Sequence, residues 1–247
     1  MALMVEGRVR LDQVLVAQGL VPSRQRAQAM VRAGLVRVAG AVAERPDQMV
    51  DPSVSIGLDH ARVYVSRGGD KLAAALDAFG IDPAGRVCLD VGASTGGFTD
   101  ILLQRGAARV MAVDVGYGQL AWSLRQDPRV TVLERVNIRH LERLPIPADL
   151  AVIDVSFISL RLVLPRVRDL LSPPAEVVAL VKPQFEVGKG ALGKGGIVRD
   201  PEQHRRVLSE LRQFAEESGY EVAGEIPSPI LGAKGNREFL LHLRRNG

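Results

Sequence analysis

Four residues stand out for the chemistry they could share: Lys71, Asp154, Lys182 and Glu238. The chain carries 32 lysines and arginines, and its lysines are Lys71, Lys182, Lys189, Lys194 and Lys234 alone. Arginine stays charged, whereas a buried lysine can give up its proton and act as a base. Lys182 follows the apolar run Val177-Val-Ala-Leu-Val181, and Asp154 follows Leu150-Ala-Val-Ile153. Glu238 opens a third apolar run, and Lys71 stands in the first turn of a helix ahead of the first run. In an open α/β sheet, ligands sit at the carboxyl ends of the strands. Lysines held there by carboxylates could take a proton from a weakly acidic hydroxyl, or stabilise the oxyanion that forms. Lys182 is the central residue of the set.

A second constellation lies earlier. The run Val87-Cys-Leu-Asp-Val91 leads into Gly92-Ala-Ser94-Thr-Gly96-Gly-Phe98, and the next run ends in Asp114. Glycines there allow a sharp strand-to-helix turn and close approach of a ligand to the backbone. Asp114 can accept hydrogen bonds from both hydroxyls of a ribose. A dinucleotide site would read G-x-G-x-x-G, but here Gly92 is followed by Ala93, Ser94 and Thr95. Asp90 also places a carboxylate at the mouth. It would repel a pyrophosphate but suits the cationic methionine part of S-adenosylmethionine. These features point to that methyl donor as cofactor.

The elements that must position these groups alternate. Strand-like runs at 87–91, 110–113, 130–133, 150–153 and 177–181 are separated in several places by helical stretches at 101–105, 160–171 and 201–218. The pattern predicts an α/β domain with a doubly wound, mostly parallel sheet. Late strands near 221–226 and 238–243, with no helix between them, suggest a closing antiparallel hairpin. Asp70 is expected to cap a helix reaching Phe79. Ser66-Arg67-Gly68-Gly69 looks too glycine-rich for a regular element.

Residues 1–60 differ in character. Helical spacing at 11–18 stops at Gly19, Ser23 caps a second helix over 24–33, and 35–39 and 54–58 alternate like strands. Residues 1–40 hold Arg8, Arg10, Arg24, Arg26, Arg32 and Arg37 against Glu6 and Asp12, so the chain's net charge of +4 resides there. Such a segment attracts a phosphate backbone. The expected division is a basic α+β module over 1–60, a linker over 61–69 and the α/β domain over 70–247. Lys189 and Lys194, in the glycine-rich stretch 188–199, suggest a basic flap over nucleic acid. The single Cys88 excludes an internal disulfide framework and implies a reducing, cytoplasmic setting. No apolar run reaches membrane-span length, and the first ten residues lack the pattern of a secretory signal. No metal is expected.

Resemblances sharpen this reading. Arg10-Leu11-Asp12, Ser23-Arg24 and Ala33-Gly34-Leu-Val-Arg-Val38 resemble the small RNA-binding domain of ribosomal protein S-four, pseudouridine synthases and tyrosyl-tRNA synthetases. Lys71, Asp154, Lys182 and Glu238 resemble the tetrad of FtsJ-like ribose 2′-O-methyltransferases. Over nearly the whole chain, strings such as Val65-Ser-Arg-Gly68, Asp154-Val-Ser-Phe-Ile-Ser159 and Leu180-Val-Lys-Pro-Gln-Phe-Glu-Val-Gly-Lys189 resemble the TlyA family. Its members are described both as hemolysins and as 2′-O-methyltransferases acting on cytidines of ribosomal RNA. The resemblance implies a partner, ribosomal RNA within ribosomal subunits. It also implies that Gly96, Phe98, Asp114 and Asn137 line the cofactor pocket with Asp90.

Other chemistries fit less well. A base N-methyltransferase would carry two prolines and an aromatic after the fourth strand, where this chain has Asp154-Val-Ser-Phe157. A C5-pyrimidine methyltransferase needs a cysteine nucleophile, and Cys88 lies within a buried strand. A membrane-lytic protein would need a cationic amphipathic helix with aromatic anchors, but aromatics are 4% of this chain. A non-catalytic RNA-binding factor would have no use for the lysine–carboxylate set.

Overall fold

Residues 7–21, 23–32, 34–58, 64–188, 192–193 and 195–246 are described by a computed structural model. The chain divides into two compact units, residues 1–63 and 64–247.

In the smaller unit, helices Leu11–Ala17 and Arg24–Arg32 pack together. A three-stranded antiparallel sheet places Val36–Val38 between Ala41–Val42 and Ile56–Leu58. A pairing that the alternation did not reveal joins Val9–Arg10 to Met49–Val50. Two-residue strands carry too few side chains to show a period. Leu11, Leu15, Ala27, Val31 and Val36 close the core, so the apolar stripe of the second helix faces inward and its arginines face out.

The larger unit holds one seven-stranded sheet. Its strands are β1 (Val87–Val91), β2 (Arg109–Asp114), β3 (Val130–Glu134), β4 (Ala148–Ile153), β5 (Leu171–Val181), β6 (Glu221–Pro227) and β7 (Phe239–Arg245). Their order across the sheet is β6-β7-β5-β4-β1-β2-β3. β3 to β5 run parallel, and β7 joins antiparallel between β5 and β6. The expected closing hairpin is therefore present. The helices are α1 (Gly68–Phe79), α2 (Gly97–Gln104), α3 (Trp122–Arg125), α4 (Leu164–Leu170), α5 (Pro183–Glu186) and α6 (Pro201–Glu217).

Both faces of the sheet are covered, which is why the strands read as unbroken apolar runs. Cys88, Val110, Leu150 and Val178 pack against Leu72, Leu76, Ile101 and Leu102 of α1 and α2. Leu89, Val91, Met111 and Ile153 face Leu164, Val167, Leu208 and Leu211 of α4 and α6.

The stretch 64–69 departs from expectation. Gly68 and Gly69 belong to α1, and Asp70 lies in its first turn instead of capping it. The reason is packing. A Cβ at Gly97 would stand 2.1 Å from Ser66 Oγ and 3.0 Å from the Gly69 nitrogen. The starts of α1 and α2 thus touch backbone to backbone through Gly97, while a Cβ at Gly69 would stand 2.2 Å from the Tyr64 side chain.

Candidate active site

The sheet brings three of the four candidate residues to one edge. Val181 pairs with Phe239, and Ala179 with Ile153. Lys182, Glu238 and Asp154 therefore emerge side by side from β5, β7 and β4. Lys71 reaches the same edge from α1. Lys71 Nζ lies 2.5 Å from Glu238 Oε2, and Lys182 Nζ lies 2.6 Å from Asp154 Oδ1. Both lysines are 9% exposed. The Lys182–Asp154 contact is an ion pair off hydrogen-bond alignment. Lys182 instead donates a hydrogen bond to Ser156 Oγ at 2.9 Å, a partner that sequence reasoning missed.

Further contacts fix these segments. A Cβ at Gly232 would stand 1.8 Å from Glu238 Oε1, so a side chain there would displace the carboxylate that pairs with Lys71. Asn236, buried two residues before Glu238, accepts a hydrogen bond from the Val198 amide at 3.0 Å and donates to the Gly196 carbonyl at 3.2 Å. The end of the glycine-rich stretch is thereby tied beside Glu238. Lys189 and Lys194, the expected basic flap, lie outside the described residues. Glu186, at the end of α5, accepts from Ser159 Oγ at 2.6 Å and the Leu160 amide at 2.8 Å. Burial pushes its carboxyl above the usual range, although those bonds oppose the shift. It pins the loop carrying Asp154 and Ser156. Nothing in the spacing of Lys182-Pro-Gln-Phe-Glu186 pointed to that role.

The same loop exposes Phe157. Its side chain is 91% exposed, its φ is +63°, and its ring centroid lies 5.0 Å from that of Phe185. An unburied phenylalanine in a left-handed conformation is uncommon and costs backbone strain.

The glycine loop adjoins this edge. Gly92 has φ +85°, and a Cβ there would stand 2.6 Å from the Asp154 carbonyl oxygen. Asp114 accepts hydrogen bonds from the Ser94 amide at 2.8 Å and the Gly116 amide at 2.6 Å, one on each carboxylate oxygen. Gly92, Ser94, Asp114 and Asn137 retain exposed surface, while Asp90, Gly96 and Phe98 are buried beneath the loop. Asn137 also accepts from the Arg139 amide at 3.1 Å, capping a short 3-10 turn.

Asp90 is fully buried. Thr99 Oγ1 donates to its Oδ2 at 2.6 Å, and its Oδ1 has no donor among the described residues. Burial pushes its carboxyl up to about 7, against the Thr99 hydrogen bond, and Asp154 and Asp114 add to the rise. Two carboxylates, one with unmet acceptor capacity, fit a cationic ligand bearing vicinal hydroxyls and would oppose a pyrophosphate. Cys88 is fully buried, and burial pushes its thiol up to about 12. It is unsuited to nucleophilic attack.

In the smaller unit, the six candidate arginines are not equivalent. Arg8, Arg26 and Arg32 are exposed. Arg37 donates to the Gly40 carbonyl at 3.3 Å. Arg10 and Arg24 both bond to Asp12, which is 0% exposed. Hydrogen bonding from Arg10, above all, holds the Asp12 carboxyl well below the usual range.

Comparisons with known proteins identify two families along the chain. Residues 64–245 match the FtsJ-like methyltransferase family, and residues 9–56 match the S4 domain. The 16S/23S rRNA (cytidine-2′-O)-methyltransferase TlyA of Mycobacterium tuberculosis is 52% identical over 96% of this chain and 90% of its own length. Hemolysin A of Brachyspira hyodysenteriae is 39% identical over 95% of this chain and 99% of its own. A solved hemolysin-named protein of Streptococcus thermophilus superimposes with a TM-score of 0.76 at 44% identity, covering 97% of this chain and 89% of its own. No helix among the described residues is long and apolar enough to cross a membrane.

Proposed function

The chain belongs to the FtsJ-like methyltransferase family, and on that premise we propose that it methylates the ribose 2′-hydroxyl of a cytidine in ribosomal RNA, with S-adenosylmethionine as donor. The observation that carries the reading is the pair of buried lysine–carboxylate contacts, Lys71–Glu238 and Lys182–Asp154, beside the glycine loop.

The donor supplies an electrophilic methyl group on a sulfonium that leaves without needing an acid. The protein must therefore position and deprotonate the acceptor. Lys182, with Asp154 and Ser156 fixing its ammonium group, stands at the 2′-hydroxyl. In its neutral form it accepts the hydroxyl proton, and charged it stabilises the alkoxide. Lys71 and Glu238 hold the adjoining wall and set the local charge. Asp114 accepts from the donor's ribose, Gly92, Ser94 and Asn137 meet its other edges, and Gly96 and Phe98 hold the loop from below. Asp90 offers negative charge to its cationic end. Phe157 offers a stacking face for the target base, with Phe185 behind it.

The smaller unit and its arginines bind the RNA backbone, with Lys189 and Lys194 adding positive charge, on a ribosomal subunit in the cytoplasm. A membrane-perturbing surface would have no use for buried lysine pairs, which disfavours the lytic alternative.

The test is transfer of labelled methyl from S-adenosylmethionine to purified unmodified ribosomal subunits and to their naked RNA, with Lys182→Ala alongside. The expected result is label at one alkali-resistant linkage, absent with the variant, while donor binding is retained. No label on either subunit, or substantial transfer by Lys182→Ala, would overturn the reading.

A further inference from the structure

We infer that Asp12, an acidic residue, is a positive determinant of RNA binding, because it holds Arg10 and Arg24 as one preformed fork for a single backbone phosphate. The inference rests on the proposal that the smaller unit binds RNA.

Arg10 approaches Asp12 through two nitrogens, Nε to Oδ1 at 3.1 Å and Nη2 to Oδ2 at 3.0 Å. Arg24 Nη2 donates to the same Oδ2 at 3.1 Å. The two Nη2 atoms thus lie within hydrogen-bond reach of one oxygen, and so within about twice that reach of each other. That spacing brings the two guanidiniums close enough for their remaining nitrogens to reach oxygens of one phosphate. Gln28 Nε2 also donates to Oδ2, at 2.8 Å, so the carboxylate is satisfied with two cations and one neutral donor.

The burial gradient gives the cluster its direction. Asp12 is 0% exposed, while the side chains of Arg10 and Arg24 are 38% and 52% exposed. Among the described residues, Arg10 Nη1 and Arg24 Nε and Nη1 make no hydrogen bond, which leaves them for a partner outside. The three charges leave an excess of +1, which one phosphodiester neutralises. Long arginine side chains lose much rotamer freedom when they bind. Here much of that freedom is lost before RNA arrives, which favours binding. Local sequence supplies the arrangement: Arg10 directly precedes the first helix, Asp12 lies in its first turn, and Arg24 opens the second helix.

The experiment is a salt titration of binding between the full-length protein and an unmodified ribosomal RNA transcript. Asp12→Asn raises the net charge by one. If charge alone governed binding, this variant would bind more tightly. The fork predicts the opposite sign, about a tenfold loss of affinity. Circular dichroism and a thermal melt report whether the variant's smaller unit is folded. Arg10→Lys, Arg24→Lys and their double variant keep the charge and remove the fork geometry. Each single variant is expected to lose most of what the double loses, because the two arginines act as one unit. Unchanged or tighter binding by folded Asp12→Asn would overturn the inference. Should Asp12→Asn unfold, full affinity or strictly additive losses in the lysine variants would overturn it equally. Failure of the unaltered protein to bind RNA with salt dependence would instead bring down the RNA reading itself.

Discussion

The α-carbon of Gly92 lies against the carbonyl of Asp154 so closely that a methyl group there would stand 2.6 Å from the oxygen. One contact therefore joins the glycine loop to the strand end bearing a catalytic candidate. Gly92→Ala would meet both this clash and a φ of +85° that alanine resists. Donor binding and methyl transfer should fall together, each by at least about tenfold, in calorimetry and in the labelled-methyl assay. Loss of one without the other would show the two sites to be independent.

The Lys71–Glu238 pair lends itself to a stability cycle. Their side chains are 11% and 2% exposed. Lys71→Met strands a buried carboxylate, which should cost about 3–5 kcal/mol. Adding Glu238→Gln removes that charge and should restore much of the stability, while transfer stays lost. Denaturant melts of the three proteins measure the cycle. Equal instability of single and double variants would contradict it.

With Asp90 at the proposed donor site, its carboxyl, pushed up to about 7, should make donor binding depend on pH. A cationic donor favours the ionised carboxylate, so binding should release a proton and strengthen as pH rises through about 7. Asp90→Asn should flatten that profile. Stability has the opposite slope. The native state keeps this proton up to about 7, whereas the unfolded chain gives it up near the ordinary carboxylate value of 3.8. The contribution is therefore lost as pH rises through that window. Donor titrations and thermal melts at pH 5, 6, 7 and 8 check both signs.

At Phe157 function and stability should separate. Its φ of +63° strains any residue but glycine. Phe157→Gly should leave the melting temperature unchanged or raise it, while lowering transfer about tenfold or more through loss of base stacking. Donor affinity should hold. A melting temperature several degrees lower would mean that the ring's contact with Phe185 outweighs the strain.

Much of this architecture was legible in the sequence, for identifiable reasons. Strands buried on both faces announce themselves as apolar runs, so β1 to β5 and their ends could be placed, and with them Asp90, Asp114, Asp154 and Lys182. Charge made the basic module visible. Contacts between residues distant in sequence were harder to read. Ser156 and Glu186 act by folding one loop onto another, and Gly232 matters only because Glu238 passes over it. Gly68 and Gly69 were read as a loop because glycine weakens helices. What they accommodate, the Tyr64 side chain at Gly69 and the start of a second helix at Gly97, has no local signature. Nor did six arginines reveal that two of them share a buried aspartate.

The backbone contact between the starts of α1 and α2 has a kinetic consequence. Lys71 rides on one helix and the glycine loop feeds the other, and a Cβ at Gly97 would meet the backbone of Gly68 and Gly69 at 3.2 and 3.0 Å. The two halves of the centre are in backbone contact before either substrate arrives. Neither substrate has to assemble the site for the other, so the two can enter in either order. Initial-rate patterns should follow a random sequence of addition.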